Sequence, residues 1–303
     1  MGDDHAVTDR RIPVPGTTLF VDDRGDPDAP ALLYAHGGPG QSCYDFMLVQ
    51  GDRLAERVRV IGVDQRGLLR SDPLPDGELV GPETVVADYE AIREALGIQR
   101  WTLLAASAGA GPGLDYAVAR PEVVTAAVFD CPAWDGDLAD RHRLTVAADL
   151  LDRYGKPDVA ARCRELSART EPITAADDTR ALLKQLDEHY MEMYFHDMDK
   201  AAAFDAIWED FDGDDPQRGH THRPILEDMY RSRLPLLERL TVPTLLVRGD
   251  EDLVTPPAVL ARYVADVPGG QVRTIAEAGH FPSHEQPDEY AAIVTDFVVE
   301  HAR

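Results

Sequence analysis

Apolar positions along this chain follow two alternating patterns. One is a short run of aliphatic and β-branched residues that ends at a polar or glycine-rich turn, the signature of a buried strand. Ala31 to Tyr34 runs into His36-Gly37-Gly38-Pro39-Gly40, Val58 to Val63 ends at Asp64-Gln65-Arg66-Gly67, and Trp101 to Ala105 leads into Ser107. Val124 to Phe129 ends at Asp130, Thr244 to Val247 at Gly249-Asp250-Glu251-Asp252, and Val272 to Ile275 precedes Gly279-His280. The other pattern is helical spacing, as in Val85, Tyr89, Ile92 and Leu96, or Tyr290, Ile293 and Phe297. Strand and helix in alternation predict an α/β fold with a mostly parallel central sheet flanked by helices.

The alternation stops between about Pro132 and Leu240, where the apolar periods are helical and no strand is evident. Val159, Cys163 and Leu166 form one stripe; Leu182, Leu186, Tyr190 and Met193 form a second, with Thr174 as a candidate N-cap for its helix. A helical insertion between two strands of one sheet reads as a lid, or cap, over the sheet's carboxyl edge. Residues 1–131 and 241–303 would then form the core domain and 132–240 the helical cap.

Composition narrows the possibilities. The 303 residues, 44% of them apolar, suffice for one large core plus a modest insertion. Acidic residues outnumber basic ones by 55 to 30, for a net charge of −25, so the surface field repels phosphate backbones and anionic lipid. Neither nucleic acid nor membrane is an expected partner. Cys43, Cys131 and Cys163 show no paired spacing, and the start has neither a basic nor an apolar leader region. No apolar run approaches the length of a membrane span. The expected location is the cytoplasm.

The chemistry clusters at strand ends. Ala105-Ala106-Ser107-Ala108-Gly109 follows a strand and opens a helix-like run, as a nucleophile elbow does; small residues flank the serine because the backbone before and after it approaches closely. His36-Gly37-Gly38-Pro39-Gly40 follows an earlier strand, where glycines let a backbone N–H face a reacting oxygen; Ala108 N–H is the complementary donor. His280, after the last strand, is the expected base. His142, His189, His220, His222 and His284 lack such a position and carry no assignment. For the orienting acid the residues offer Asp252, Asp130 at the end of an earlier strand, and Asp250. There is no metal-ligand spacing, phosphate-binding loop or dinucleotide fingerprint, so no metal or organic cofactor is expected.

Together, His-Gly-Gly-Pro-Gly, Gly62-Val63-Asp64-Gln65-Arg66-Gly67, the serine elbow, Gly-x-x-Asp at Gly249 to Asp252, and Gly279-His280 resemble the proline iminopeptidase-like branch of the α/β-hydrolases. The likeness covers residues 15–130 and 240–303; the elbow departs from it in beginning with Ala105 rather than glycine. It implies the α/β-hydrolase fold, a triad of Ser107, Asp252 and His280, and oxyanion donors Gly38 and Ala108. It also implies a serine hydrolase that cleaves a small amide or ester, or a short peptide, through an acyl-enzyme. In those peptidases a lid Trp-Glu pair holds the substrate's free amino group. Trp208 and Glu209 are the comparable pair here, in the acidic, aromatic stretch of Phe204, Asp205, Asp210, Phe211, Asp212, Asp214 and Asp215. Alternative expectations are an esterase, lactonase or thioesterase acting on a small metabolite, and a non-hydrolytic lyase or binding protein on the same fold.

Overall fold

The computed structural model describes residues 8–209 and 220–302. Eight strands form one sheet in the order β1-β2-β4-β3-β5-β6-β7-β8. They are β1 (Thr8–Val14), β2 (Thr17–Arg24), β3 (Ala31–Ala35), β4 (Arg59–Asp64), β5 (Trp101–Ala106), β6 (Val124–Asp130), β7 (Thr244–Gly249) and β8 (Gln271–Ile275). From β4 to β8 every neighbouring pair is parallel, while β1 and β2 join antiparallel. All six strands expected from the apolar runs are present. The β1–β2 hairpin is additional. Its charged positions, Arg10, Arg11, Asp22 and Asp23 among them, mask the buried stripe of Ile12, Val14, Leu19 and Val21.

The parallel strands from β3 to β7 read as near-continuous apolar runs because both their faces are covered, whereas β8, at the sheet edge, leaves Arg273 and Thr274 exposed. In β5, Trp101, Leu103 and Ala105 enter one core, while Leu104 and Ala106 enter the other. The first core is closed by α2 (Pro82–Ala95) and α3 (Ala110–Ala119), which follow α1 (Tyr44–Ala55), and by α9 (Pro257–Asp266). The second is closed by α1 and α11 (Pro287–Glu300), the latter preceded by the short α10 (Pro282–Glu285).

Between β6 and β7 the described residues contain helical elements and no strand: α4 (Gly136–Arg153), α5 (Pro157–Ala168), α6 (Thr179–Leu183), α7 (Met198–Glu209) and α8 (Arg223–Asp228), with 3₁₀ turns between them. Most of this insertion packs round its own cluster, in which Leu144, Leu151, Cys163, Leu166, Leu186 and Met193 are buried. Asp135 caps α4 by accepting the Leu138 N–H at 3.0 Å. Thr174 caps a single 3₁₀ turn, Ala175–Asp177, rather than the helix expected from the second stripe. The Asp177 carboxylate takes the Thr174 N–H and the Arg169 guanidinium, and Asp178 then turns left-handed. The stripe itself is divided between α6 and a 3₁₀ segment interrupted at Asp187, which is drawn to Lys156. Local side-chain partners for aspartate compete with helix propagation, which apolar spacing alone does not register. No helix among the described residues is long and apolar enough to cross a membrane.

Candidate active site

β5 delivers Ser107 to the carboxyl edge of the sheet at φ 50°, a left-handed conformation that a non-glycine residue keeps only where its surroundings enforce it. A 3₁₀ turn, Ser107–Gly109, then enters α3. The enforcement comes from β3. A Cβ at Gly109 would stand 2.4 Å from the His36 carbonyl oxygen and 2.6 Å from that of Ala35, so this position admits no side chain. Ala105 stands where glycine is usual in such elbows, and α3 accommodates it. A Cβ at Gly113 would lie 2.6 Å from the Ala105 methyl, so the helix supplies the small residue that the strand lacks.

His280 reaches Ser107 from the loop after β8, with its Nε2 3.0 Å from Ser107 Oγ and its Nδ1 2.8 Å from Asp252 Oδ1. When Nδ1–H donates to the carboxylate, Nε2 is left to accept the serine proton. The Asp252 carboxylate also accepts the N–H groups of Val254 at 2.9 Å and Thr255 at 3.1 Å. Burial pushes its pKa up, but the bonds from His280 and these N–H donors outweigh that and hold it below the usual carboxylate range. The acid and base loops approach closely: Glu251 N–H donates to the Ala278 carbonyl at 3.0 Å, and a Cβ at Gly249 would fall 2.1 Å from that oxygen. The base loop is also tied to the insertion. His280 N–H donates to the Tyr194 carbonyl at 2.7 Å, while the buried Glu285 carboxylate accepts N–H groups from Gly279, His196 and Asp197.

Of the three candidate acids, Asp252 alone is hydrogen-bonded to His280 among the described residues. Asp130 is buried nearby, but its Oδ2 accepts the Tyr290 hydroxyl at 2.8 Å, and burial pushes its pKa up to about 6. Asp250 is exposed and accepts the Ala278 N–H at 3.2 Å. Gly37 lies over the serine, where an added Cβ would stand 3.5 Å from Ser107 Oγ; Gly38, at φ 124°, follows on the cavity wall, and Ala108 is buried in the 3₁₀ turn.

Ser107 opens into a cavity of about 230 Å³. Its core wall includes Tyr34, Asp45, Asp130 and His284; the insertion contributes Asp140, Arg143, Tyr190, Tyr194 and Tyr230. Asp140 is fully engaged, accepting the hydroxyls of Tyr230 at 2.6 Å and Thr179 at 2.7 Å besides the Arg143 guanidinium. Trp208 and Glu209, the expected amino-group anchor, do not line this cavity. α7 docks through Ala201 and Phe204 against Phe195 and Phe281, which sets the Trp208 ring 5.7 Å from Tyr44 and leaves Glu209 exposed at the helix end. Asp210, Phe211, Asp212, Asp214 and Asp215 lie outside the described residues. Sequence reasoning missed Asp45, the Asp140–Arg143 pair, Glu285 and the cavity tyrosines. Their apolar or helical settings carry no motif, and long-range packing alone makes them neighbours.

Cys131, Asp252 and His280 bring potential metal-ligating atoms within 4.8 Å of one another. The donor set fits a metal poorly, because both ring nitrogens of His280 are engaged and burial pushes the Cys131 thiol well above its ordinary pKa, keeping it protonated.

The model of the alpha/beta hydrolase fold family matches residues 30–287. A proline iminopeptidase of Heyndrickxia coagulans is 24% identical over 273 residues, covering 88% of this chain and 90% of the relative. The proline iminopeptidase of Neisseria meningitidis serogroup A is 34% identical over 288 residues, with 86% of each chain covered. The crystal structure of a proline iminopeptidase-related protein from Thermus thermophilus superposes with a TM-score of 0.73 at 24% identity, covering 98% of this chain and 99% of that one. A matching family model, full-length relatives and an elbow, acid loop and base loop meeting at one sheet edge lead to one conclusion: this chain belongs to the α/β-hydrolase family, as a proline iminopeptidase-like hydrolase.

Proposed function

We propose that the chain cleaves a small amide or ester by acyl transfer through Ser107, with His280 as base and Asp252 as its orienting acid. The observation that carries this reading is the continuous hydrogen-bonded chain from Ser107 Oγ through His280 to Asp252, whose serine and histidine line the cavity. Ser107 Oγ attacks the substrate carbonyl as His280 Nε2 takes its proton, and the N–H groups of Gly38 and Ala108 stabilise the oxyanion. The bond to the leaving amine or alcohol breaks as His280 returns that proton to it. Water, deprotonated by His280, then attacks the acyl carbon and releases the acid and free Ser107. Residues 132–240 act in this scheme as a cap that shelters the acyl-enzyme, over a core of 1–131 and 241–303, and the enzyme works on a soluble small molecule or short peptide in the cytoplasm.

Within this chemistry we favour an aminopeptidase-like substrate, in keeping with the family. The esterase, lactonase or thioesterase reading draws support from the position of Glu209 outside the cavity, which removes the acid expected to hold a free amine. Ser107→Ala should lower turnover of a short acyl ester by about 10⁴ to 10⁶-fold and abolish labelling by a fluorophosphonate. Undiminished turnover in that variant would refute acyl transfer through Ser107.

A further inference from the structure

The insertion side of the cavity carries more hydrogen-bond donors and positive charge than its own acceptors use. Arg180 stands on α6, which is held to α4 by the Thr179 hydroxyl donating to Asp140 at 2.7 Å. It lines the cavity and makes no ion pair or hydrogen bond among the described residues. Acids outnumber bases by 55 to 30, and arginines such as Arg24, Arg59 and Arg66 are paired with aspartates, so an unpaired guanidinium at this place stands apart. Arg143, on α4, gives its Nη groups to Asp140 and, at 3.3 Å, to the Tyr194 hydroxyl, but its Nε–H is buried without an acceptor. The hydroxyls of Tyr190 and Tyr194 lie 3.2 Å apart; the bond between them uses one hydroxyl proton and leaves the other without an acceptor among the described residues. Burial raises the pKa of the Tyr190 hydroxyl, and the charges of Arg180 and Arg143 oppose that rise, so both guanidinium groups lie within electrostatic reach of it. Asp140 cannot absorb the surplus, being taken already by Arg143, Thr179 and Tyr230.

A buried donor without an acceptor is costly, and a ligand group that accepts several bonds and carries negative charge removes that cost. A carboxylate does both, and its two oxygens match the fork of a guanidinium. Resting on the acyl-transfer reading above, we propose that Arg180, with Tyr190 and Arg143, forms a carboxylate subsite on the insertion that selects substrates bearing a free carboxylate remote from the scissile carbonyl. Remoteness follows from the opposite wall, where the buried Asp45 and Asp130 repel a second carboxylate from the core side. The preference is local in origin, because the field of a chain with net charge −25 repels an anion at longer range.

The test uses the full chain and two pairs of substrates. Mono-4-nitrophenyl adipate beside its methyl ester places the carboxylate on the acyl part, and 4-acetoxybenzoate beside its methyl ester places it on the leaving part. The readout is the ratio of kcat/KM for the acid to that for the methyl ester, compared between proteins so that intrinsic reactivity cancels. Arg180→Gln should lower the ratio by about 10-fold or more in at least one pair, chiefly through KM, as expected for losing a charged hydrogen-bond partner. The pair that responds identifies the part of the substrate held. Arg180→Lys should restore some of the ratio, and Arg100→Gln, which removes an exposed charge outside the cavity, should not move it. Fluorophosphonate labelling reports whether each variant retains a folded elbow. If Arg180→Gln fails to label, two measurements carry the test: Tyr190→Phe, which should lower the same ratio about threefold, and competition against wild-type hydrolysis of 4-nitrophenyl acetate by adipamate, set against adipamide. Stronger competition by adipamate supports the subsite. Ratios unmoved by Arg180→Gln in both pairs, an equal fall in Arg100→Gln, or equal competition by adipamate and adipamide would overturn it. Failure of acyl transfer itself would be seen separately, as ester hydrolysis surviving in Ser107→Ala.

Discussion

Replacing Asp252 by asparagine probes the site most directly, because the carboxylate serves three donors at once. Oδ1 accepts from His280 Nδ1 and Val254 N–H, and Oδ2 accepts from Thr255 N–H. An amide has one oxygen, so both of its orientations fail somewhere. With the NH₂ group in the place of Oδ1, it opposes the Val254 N–H and forces His280 into the tautomer whose Nε2 carries a proton and cannot accept one from Ser107. With NH₂ in the place of Oδ2, the tautomer survives, but the amide opposes the Thr255 N–H and the charge that stabilises the imidazolium is gone. Either outcome should lower kcat/KM for a neutral ester by about 10³ to 10⁴-fold, or about 4–5.5 kcal/mol of barrier. Stability should fall by only about 1–3 kcal/mol, the cost of one buried donor left unpaired. Asp130→Asn, whose carboxyl bonds Tyr290 rather than His280, should cost less than about tenfold with the same ester. Ester kinetics from pH 5 to 9, beside thermal melts that establish folding, decide the matter. If Asp252→Asn keeps a tenth of wild-type activity while Asp130→Asn loses a thousandfold, the acid resides on β6 and the assignment is wrong.

Asp130 also has a pH signature. Its pKa is raised by burial to about 6 in the folded protein, above the ordinary carboxylate value that it regains on unfolding, so its ionisation opposes folding and stability falls as pH rises through that window. Asp130→Asn, which retains an oxygen for Tyr290, should therefore be more stable than wild type at pH 8, by about 1–3 kcal/mol, and show no gain at pH 4; an equal difference at both pH values in denaturant titrations would count against the buried charge. Gly109→Ala places a methyl against the carbonyls of Ala35 and His36 and should destabilise the elbow by about 2–4 kcal/mol, with a depressed Tm and slower fluorophosphonate labelling. An unshifted Tm would show that β3 does not brace the turn.

Much of this molecule is legible along the chain. Of the six parallel strands, those from β3 to β7 announce themselves because a sheet covered on both faces demands near-continuous apolar runs, as in Leu103 and Leu104 facing opposite cores, while the edge strand β8 is marked by Val272 and Ile275 ahead of Gly279-His280. Ser107 and His280 stand out because an elbow needs small neighbours and a base loop needs room, requirements written locally as glycine and alanine. The acid was a choice among Asp130, Asp250 and Asp252, which differ in sequence only by place. Folding separates them by turning one carboxylate onto His280, another onto Tyr290 and the third towards solvent. The insertion was legible as helical and no further, since Asp177 and Asp187 break its periods through partners remote from any apolar count. Trp208 and Glu209 looked like an anchor from neighbouring chemistry alone, yet the docking of Phe204 on Phe281 carries their helix away from the cavity. Asp45 and His284, from opposite ends of the chain, meet on its wall only because α1 and α10 pack at the same sheet edge. Local chemistry shapes turns and strands, so sequence reports it; which side chains face one another across a cavity depends on how remote elements pack, and that is decided only in three dimensions.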